Sequence, residues 1–478
     1  MSKKQKWIII GLVILAAVLR FYNLGAAALW YDESFTDLAT QQSLGDMYQA
    51  LAGDVHPPLY YLMIWPLQQV GLNSFAWLRM ISAVASLASV ILAGQLAYEI
   101  TDNRWAQIIT MALMALSASS LRYGQEARMY ALLELVVIAG MLAIYKGQKA
   151  ILTVATASAM LLHNYGLFYA LALALLAWGK AGKDWRGWIW PFAVSGLLWL
   201  PWGLVMFNQM IHISSAGYWI QPISLGRVVR VIYKLMFSFS VPMELYIGTM
   251  LMLSMGLAVL MAGVWKNRES NLQDLWPVYV MVMIPFGLAV IISELYRPIL
   301  LFRPLVATLP PIWILASYSI INMDKTRQTI AAGILIPCML GLAFGYHYFN
   351  LQNKADARTW LRDIRAAWEP GDMVYSLNDS GAMAILQYGP DLPVYKMPDC
   401  PGQASLGALT DQTRAALGII EKPQDELTGR VWVIVSSSPV SPICEIKTAE
   451  QMKAQGQLVK TIHKNQYVDA AVYLREYK

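Results

Sequence analysis

From Trp7 to about Tyr348 the chain is an almost unbroken series of apolar runs separated by short polar turns. After Asn353 the pattern changes to short amphipathic stretches. Apolar runs of about 20 residues can cross roughly 30 Å of hydrocarbon as helices. Nine runs stand out, at about 7–22, 78–100, 104–121, 129–146, 188–207, 245–265, 275–296, 298–320 and 328–348. Residues 150–179 carry a polar tip, His163-Asn164-Tyr165-Gly166, at their middle and Lys149 and Lys180 at their ends. Two short spans keep both lysines cytoplasmic, as the positive-inside bias prefers, and bring the expected count to eleven.

Segment 58–70, PLYYLMIWPLQQV, would be about 20 Å long as a helix and contains Pro66, so it is expected to lie flat on the membrane. Were it to cross, Lys146, Lys149, Lys180, Lys183, Arg186, Lys266, Arg268, Lys325 and Arg327 would all move outside. By the same argument 231–241, VIYKLMFSFSV, is an interfacial piece of a long external loop at about 208–244. The N-terminal KKQK, the following WIIIGLVILAAVL and then Ala26-Ala27-Ala28 have the form of a cleaved signal. The apolar stretch reaches about Tyr22, so a retained span is expected, with Lys3, Lys4 and Lys6 in the cytoplasm.

Residues 353–478 carry 14 Lys and Arg and 15 Asp and Glu, the balance of a soluble domain. DARTWLRDIRAAW and SLGALTDQTRAALGII have helical periodicity, DMVYSLN and RVWVIVSSS are strand-like, and LVKTIHK and AAVYLRE read as two closing strands. The expected architecture is a polytopic α-helical membrane unit over residues 1–350, followed by a small extracytoplasmic α/β domain over 353–478. Cys338 reads as a small residue of an apolar helix, whereas Cys400 and Cys444 share the terminal domain and could pair only in an oxidising compartment.

Composition agrees with that pattern. With 57% hydrophobic and 14% charged residues, and a mean hydropathy of +0.45, the chain lies far from a soluble globular protein, where about 25% charge is usual. The net charge of +6 is not a nucleic-acid signal, because most of the 36 Lys and Arg sit in short loops between apolar runs. No Walker loop, GxGxxG, HExxH or zinc-type CxxC pair occurs, which removes sequence support for nucleotide-binding and zinc-peptidase readings.

The candidate chemistry collects on the outer face. In the first external loop, about 23–77, Asp37, Asp46 and Asp54 read as ordinary solvated carboxylates. Asp32 and Glu33 differ, because Leu29-Trp30-Tyr31 would hold them at the membrane interface, where a carboxylate can be tuned as a base. His56-Pro57-Pro58 follows and fixes a helix start. In the second loop, LRYGQEARMYALLE, Arg122, Glu126 and Arg128 lie within seven residues of one another, as structural pairs, as a phosphate clamp, or as both. Arg297 and Arg303 flank the outer ends of two spans, and Arg227, Arg230 and Lys234 lie in the long loop. Seven basic residues kept outside against the positive-inside tendency suggest an anionic ligand, most simply a lipid phosphate; membrane-lipid anchoring is the plainer alternative. The His163–Tyr165 tip should lie below the membrane surface, where polar backbone needs protein or a wet cavity around it.

The ordered set LWYDESF, DVHPPLYYLMIW, FAWLRMISAVAS and LRYGQEARMYAL, over residues 7–170, resembles the family 39 membrane glycosyltransferases. These include the protein O-mannosyltransferases and the aminoarabinose transferases. The resemblance implies a GT-C fold with interfacial helices in the first external loop and a polyprenyl-phosphate-linked sugar donor on the outer leaflet. It also implies Asp32 as catalytic base, with Glu33 beside it. From their own placement on the outer face, His56, Glu126, His163 and Tyr165 are expected in support, and Arg122, Arg128, Arg297 and Arg303 on the donor phosphate. Protein O-mannosyltransferases usually continue HPPL with Gly-Lys, whereas Tyr60-Tyr61 stand here, which weighs toward a lipid or glycan acceptor and away from a protein. The implied reaction is an inverting displacement at the anomeric carbon, with charge stabilisation of the leaving phosphate. Arginines or a divalent metal can supply that stabilisation. No metal-ligand set is evident, so a metal is left unassigned. The rival class is a multi-pass transporter or lipid flippase, whose inverted repeats are not seen here.

Overall fold

The computed structural model describes residues 1–212, 220, 222–238, 268–353, 357–400, 409–437, 442–464 and 469–477. The span expected at 245–265 lies outside them. The chain folds as two compact units that do not follow chain order. One comprises 1–26, 76–202 and 220–353; the other comprises 27–75, 203–219 and 354–478.

The first unit is helical: α1 (Lys3–Phe21), α5 (Phe75–Thr101, from Ala76), α6 (Arg104–Leu116), α7 (Ala118–Gly124), α8 (Tyr130–Tyr145), α9 (Lys149–Leu162), α10 (Gly166–Ala181), α11 (Ile189–His212, to Trp202), α12 (Leu225–Phe237), α13 (Arg268–Leu295), α14 (Leu309–Ile321) and α15 (Lys325–Asn353). Among the described residues, five stretches are long and apolar enough to cross a membrane: Phe75–Thr101, Gly166–Ile211, Leu275–Leu295, Pro304–Ile321 and Lys325–His347. Shorter apolar helices occupy Arg104–Leu116, Tyr130–Tyr145 and Lys149–Leu162. α1 is not one of the five, because Lys3, Lys4, Lys6 and Arg20 leave only Trp7–Leu19 uncharged. Arg20 is fully buried: Nε donates to Ser86 Oγ at 2.8 Å, and Nη2 and Nη1 donate to the Met114 and Ala115 carbonyls at 3.0 and 3.2 Å. A charge at that depth persists because each donor finds an oxygen.

Local signals explain the breaks. Asn103 caps α6, its Oδ1 accepting from the amides of Trp105 and Ala106 at 2.8 and 3.3 Å. Ser117 separates α6 from α7 and caps the latter. α9 and α10 meet at the His163–Tyr165 tip, where a Cβ on Gly166 would collide with the Ala159 backbone, so only glycine permits this approach.

The second unit joins the first loop to the C-terminal residues. It holds α2 (Tyr31–Gln41), α3 (Leu44–Gly53), α4 (Leu59–Gln69), α16 (Ala357–Ala366), α17 (Asp379–Tyr388), α18 (Asp411–Leu417) and α19 (Ile443–Gln455). A mixed five-stranded sheet has the order β2-β1-β3-β5-β4, formed by β1 (Met373–Ser376), β2 (Val394–Lys396), β3 (Gly429–Ser437), β4 (Gln457–Lys464) and β5 (Asp469–Tyr477). β1 pairs in parallel with β2, through the α17 crossover, and with β3, whereas β5 runs antiparallel to β3 and β4. Val431 to Val435 are all buried, which explains why β3 reads as a continuous apolar run with no alternation. Cys400 and Cys444 form a disulfide with their Cα atoms 6.1 Å apart.

Candidate active site

Within the helical unit, the loops segregate to two ends. At one end, Lys146 Nζ lies 3.7 Å from Glu99 Oε1, Lys180 sits 3.6 Å over the Tyr145 ring, and Lys149 sits 5.2 Å over Trp188. At the other end, Tyr165 Oη donates to the Ile299 carbonyl at 2.6 Å and Tyr169 Oη donates to the Pro304 carbonyl at 2.9 Å. The loops that hold Lys146, Lys149 and Lys180 therefore gather together, and the tip at Tyr165 gathers with the segment from Ile299 to Pro304.

That second end holds a cationic group. Arg122 Nε donates to Glu126 Oε1 at 2.7 Å, an i,i+4 pair with the carboxylate side chain 1% exposed. Glu126 Oε2 is buried and accepts no hydrogen bond among the described residues. Aromatic rings run on from Arg122: Tyr123 meets Tyr130 at 4.9 Å, Tyr130 meets His163 at 5.8 Å, and His163 meets Tyr165 at 5.5 Å. His163 Nδ1 accepts from the Tyr165 amide at 3.0 Å, which assigns the ring proton of the neutral imidazole to Nε2. Lys234, on the amphipathic α12, lies with Nζ 5.6 Å over the Phe302 ring, and its carbonyl accepts from Ser119 Oγ at 3.3 Å. Burial first, and then the charges of Arg230, Arg303, Arg122 and Arg227, pull its ammonium from the ordinary 10.5 down to about 8. Four guanidinium groups close enough to act on one ammonium make a strong anion-attracting field, with Glu126 paired to one of them.

The predicted residues are thus distributed unevenly. Arg122, Glu126, Arg303, His163 and Tyr165 fall along this one chain of contacts. The charges of Arg122, Glu126 and Arg303 act on Tyr123, and those of Arg230, Arg303, Arg122 and Arg227 act on Lys234. Arg128 is buried beside α5, where its carbonyl accepts from Ser82 Oγ at 3.0 Å. Arg297 is half-buried just past α13, its amide donating to the Ile292 carbonyl at 3.0 Å. Lys234 lies in the field of these arginines, where the sequence marked it only as one of several loop cations. The signal was there, since Val231, Tyr233, Leu235 and Phe237 are apolar and buried around it.

In the other unit, Asp32 and Glu33 form the first turn of α2, where carboxylates suit the positive helix end. Asp32 is half-buried and Glu33 fully buried, so the adjacent carboxylates face different surroundings. Tyr31 Oη is held well above its usual range by burial and by the charges of Asp379, Asp54 and Asp32, which places these three acids around one phenol. His56 Nδ1 lies 2.6 Å from Asp54 Oδ2, with its ring 6.2 Å from Phe35 and 6.5 Å from Tyr61.

Two of the three acids read as solvated are not so. Asp46 is exposed and accepts from Ser43 Oγ, and Asp54 is partly covered by His56. Asp37 is 3% exposed; its Oδ1 accepts from Gln68 Nε2 at 2.7 Å and its Oδ2 from Gln387 Nε2 at 2.8 Å. Burial raises its pKa and the amides of Gln41, Gln68 and Gln387 counter part of that rise. The reason is helical spacing: Asp37 lies one turn from Glu33 on the face of α2 turned toward α4 and α17.

Asp399, Asp411 and Glu421 bring carboxylate oxygens within 4.8 Å of one another. Their charges are met by Arg414, which reaches all three, and by Lys396, 2.7 and 2.8 Å from Asp399 and Glu421. An ion-paired set of this kind does not fit a metal.

No protein-family model matches the chain, and no curated protein matches it in sequence. Solved structures do. The aminoarabinose transferase ArnT from Cupriavidus metallidurans in the apo state superposes with a TM-score of 0.64 over 98% of both chains at 13% identity. The same protein bound to undecaprenyl phosphate gives 0.60, with the same coverage and identity. The Archaeoglobus fulgidus oligosaccharyltransferase in complex with Zn and sulfate gives 0.50 at 12% identity, over 90% of this chain and 68% of that one. The chain has the fold of the GT-C membrane glycosyltransferases.

Proposed function

We propose that the protein is an integral membrane glycosyltransferase that moves a sugar from a polyprenyl-phosphate carrier to an acceptor hydroxyl on the extracytoplasmic face. The observation that carries this reading is the cationic group of Lys234, Arg122 and Arg303, in a chain whose fold is shared with a transferase solved with undecaprenyl phosphate. In this account the group receives the donor phosphate and stabilises its charge as the carbon–oxygen bond to the sugar breaks. Asp32 takes the proton of the acceptor hydroxyl as its oxygen attacks the anomeric carbon from the opposite face, inverting it. Tyr60-Tyr61 in place of Gly-Lys weigh toward a lipid or glycan acceptor.

For orientation, the loops that hold Lys146, Lys149, Lys180, Lys183 and Arg186 are assigned to the cytoplasm together with the N-terminus. The Cys400–Cys444 disulfide supports an extracytoplasmic C-terminal domain, and eleven spans in the plasma membrane satisfy both assignments. The test is incubation of the purified protein with undecaprenyl phosphate carrying labelled glucose, mannose or aminoarabinose and an extract of membrane lipids and surface glycans as acceptor, with release of undecaprenyl phosphate as the readout. Release from at least one donor is expected. Movement of intact donor across proteoliposomes without release would favour the flippase reading. Turnover in EDTA against turnover with Mg²⁺ or Mn²⁺ tests whether a divalent ion shares the work at the phosphate.

A further inference from the structure

The helix that carries Asp32 is held by two consecutive residues at the end of α17. Gln387 Oε1 accepts from Ser34 Oγ at 2.7 Å, and Gln387 Nε2 donates to Asp37 Oδ2 at 2.8 Å. One side-chain amide thus spans a turn of α2, beginning two residues after Asp32. Tyr388 Oη accepts from the Leu29 amide at 2.9 Å, and its ring meets Phe75 edge-on at 5.7 Å. The same tyrosine therefore touches the chain just before α2 and again where the loop ends. Left to itself, α2 would be poorly defined: it has 11 residues, below the roughly 12–15 an isolated helix needs, and Trp30 offers it no side-chain cap. A general base, by contrast, must stand within about 0.5 Å of its working position.

We propose that Gln387 and Tyr388 are positioning residues for the transfer reaction, so that the C-terminal domain sets where the Asp32 carboxylate stands. The proposal rests on reading Asp32 as the base. The bonds from Tyr388 and Gln387 link the first loop and the soluble domain across 350 to 359 residues within one compact unit.

The test uses the full-length protein in nanodiscs and two readouts, amide hydrogen exchange of residues 31–41 and turnover of the undecaprenyl-phosphate-linked sugars named above. Gln387→Ala removes two hydrogen bonds, one to a carboxylate, and should speed exchange across 31–41 about 10- to 100-fold. In the same variant kcat should fall by a similar factor while the donor KM stays within about threefold, since the donor-phosphate group is untouched. Tyr388→Phe keeps the ring contact but loses the Leu29 bond, and should show a smaller change of the same pattern.

Gln387→Glu sets two carboxylates against each other at neutral pH. It should regain protection of 31–41, and turnover with it, as the pH falls from 8 to 5 and the pair comes to share a proton. Unchanged exchange in both Gln387→Ala and Tyr388→Phe would overturn the proposal, as would faster exchange with an unchanged kcat. Wild-type turnover in Asp32→Asn would instead remove the base assignment, and the exchange of 31–41 would still decide the link by itself.

Discussion

Undecaprenyl phosphate should bind more weakly as the pH rises through about 8, because Lys234 gives up its proton there. In the ligand-free protein, burial and four neighbouring arginines oppose the ammonium. A phosphate seated among those charges reverses the balance and raises the lysine pKa toward its ordinary 10.5. Linkage then requires affinity to fall with pH between the two values, by at most about tenfold per unit. The protonated form is the one that binds, so the loss runs toward alkaline pH.

The depth of the fall is bounded from two sides. Full restoration to 10.5 would give about 300-fold, whereas losing one charge-assisted contact is worth about 1.5–3 kcal/mol, or ~10- to 150-fold. The curve should therefore drop by that smaller factor from pH 8 and flatten near pH 10. Calorimetric titration of the lipid phosphate into protein in neutral nanodiscs, from pH 7 to 10, measures it. Lys234→Arg should bind well with a flat profile, and Lys234→Met weakly with a flat profile. A flat wild-type profile, or the wild-type slope retained in Lys234→Met, would refute the reasoning.

Three further outcomes follow. Arg414→Ala leaves the buried Asp379, which now accepts from Arg414 Nε and Nη2 at 2.9 and 3.1 Å, without its charge partner, and should cost about 3–5 kcal/mol in urea unfolding of the C-terminal domain. Reducing the Cys400–Cys444 bond opens a 44-residue loop whose closure entropy is worth at most about 4 kcal/mol, so dithiothreitol should lower the thermal midpoint, and Cys400→Ser should abolish the response. With Cys338→Ala as background, a cysteine at position 412 should react with an impermeant reagent in intact cells and one at 182 should not. The opposite pattern would invert the orientation.

The expected spans at 78–100, 275–296, 298–320 and 328–348 are legible in the sequence because the helices there declare themselves by length and apolarity, and the Arg122–Glu126 pair by its i,i+4 spacing. The break at His163–Tyr165 is also local, written in a polar tip and a glycine. β3 is legible for the same reason, as VWVIV leaves no room for a wet face. What escapes is the joining of distant segments by neutral groups. Thr410 Oγ1 donates to the Gly53 carbonyl at 2.9 Å, Gln412 Nε2 to Gln49 Oε1 at 2.8 Å, and Thr413 Oγ1 to the Ala50 carbonyl at 3.1 Å. Amides and hydroxyls such as these have no periodicity and no charge to mark them. Asp37 was misread for the same reason, because its partners Gln68 and Gln387 lie 31 and 350 residues away.

The central claim is most directly tested by single-turnover release of undecaprenyl phosphate from a labelled donor by Asp32→Asn. Asparagine has nearly the shape of aspartate but cannot take a proton. The account therefore predicts folding and donor affinity like wild type, turnover lowered about 100-fold or more, and a smaller loss in Glu33→Gln. Asp32→Asn within a few fold of wild type, with Glu33→Gln inactive, would move the base to the buried neighbour. Full activity in both variants would contradict the account.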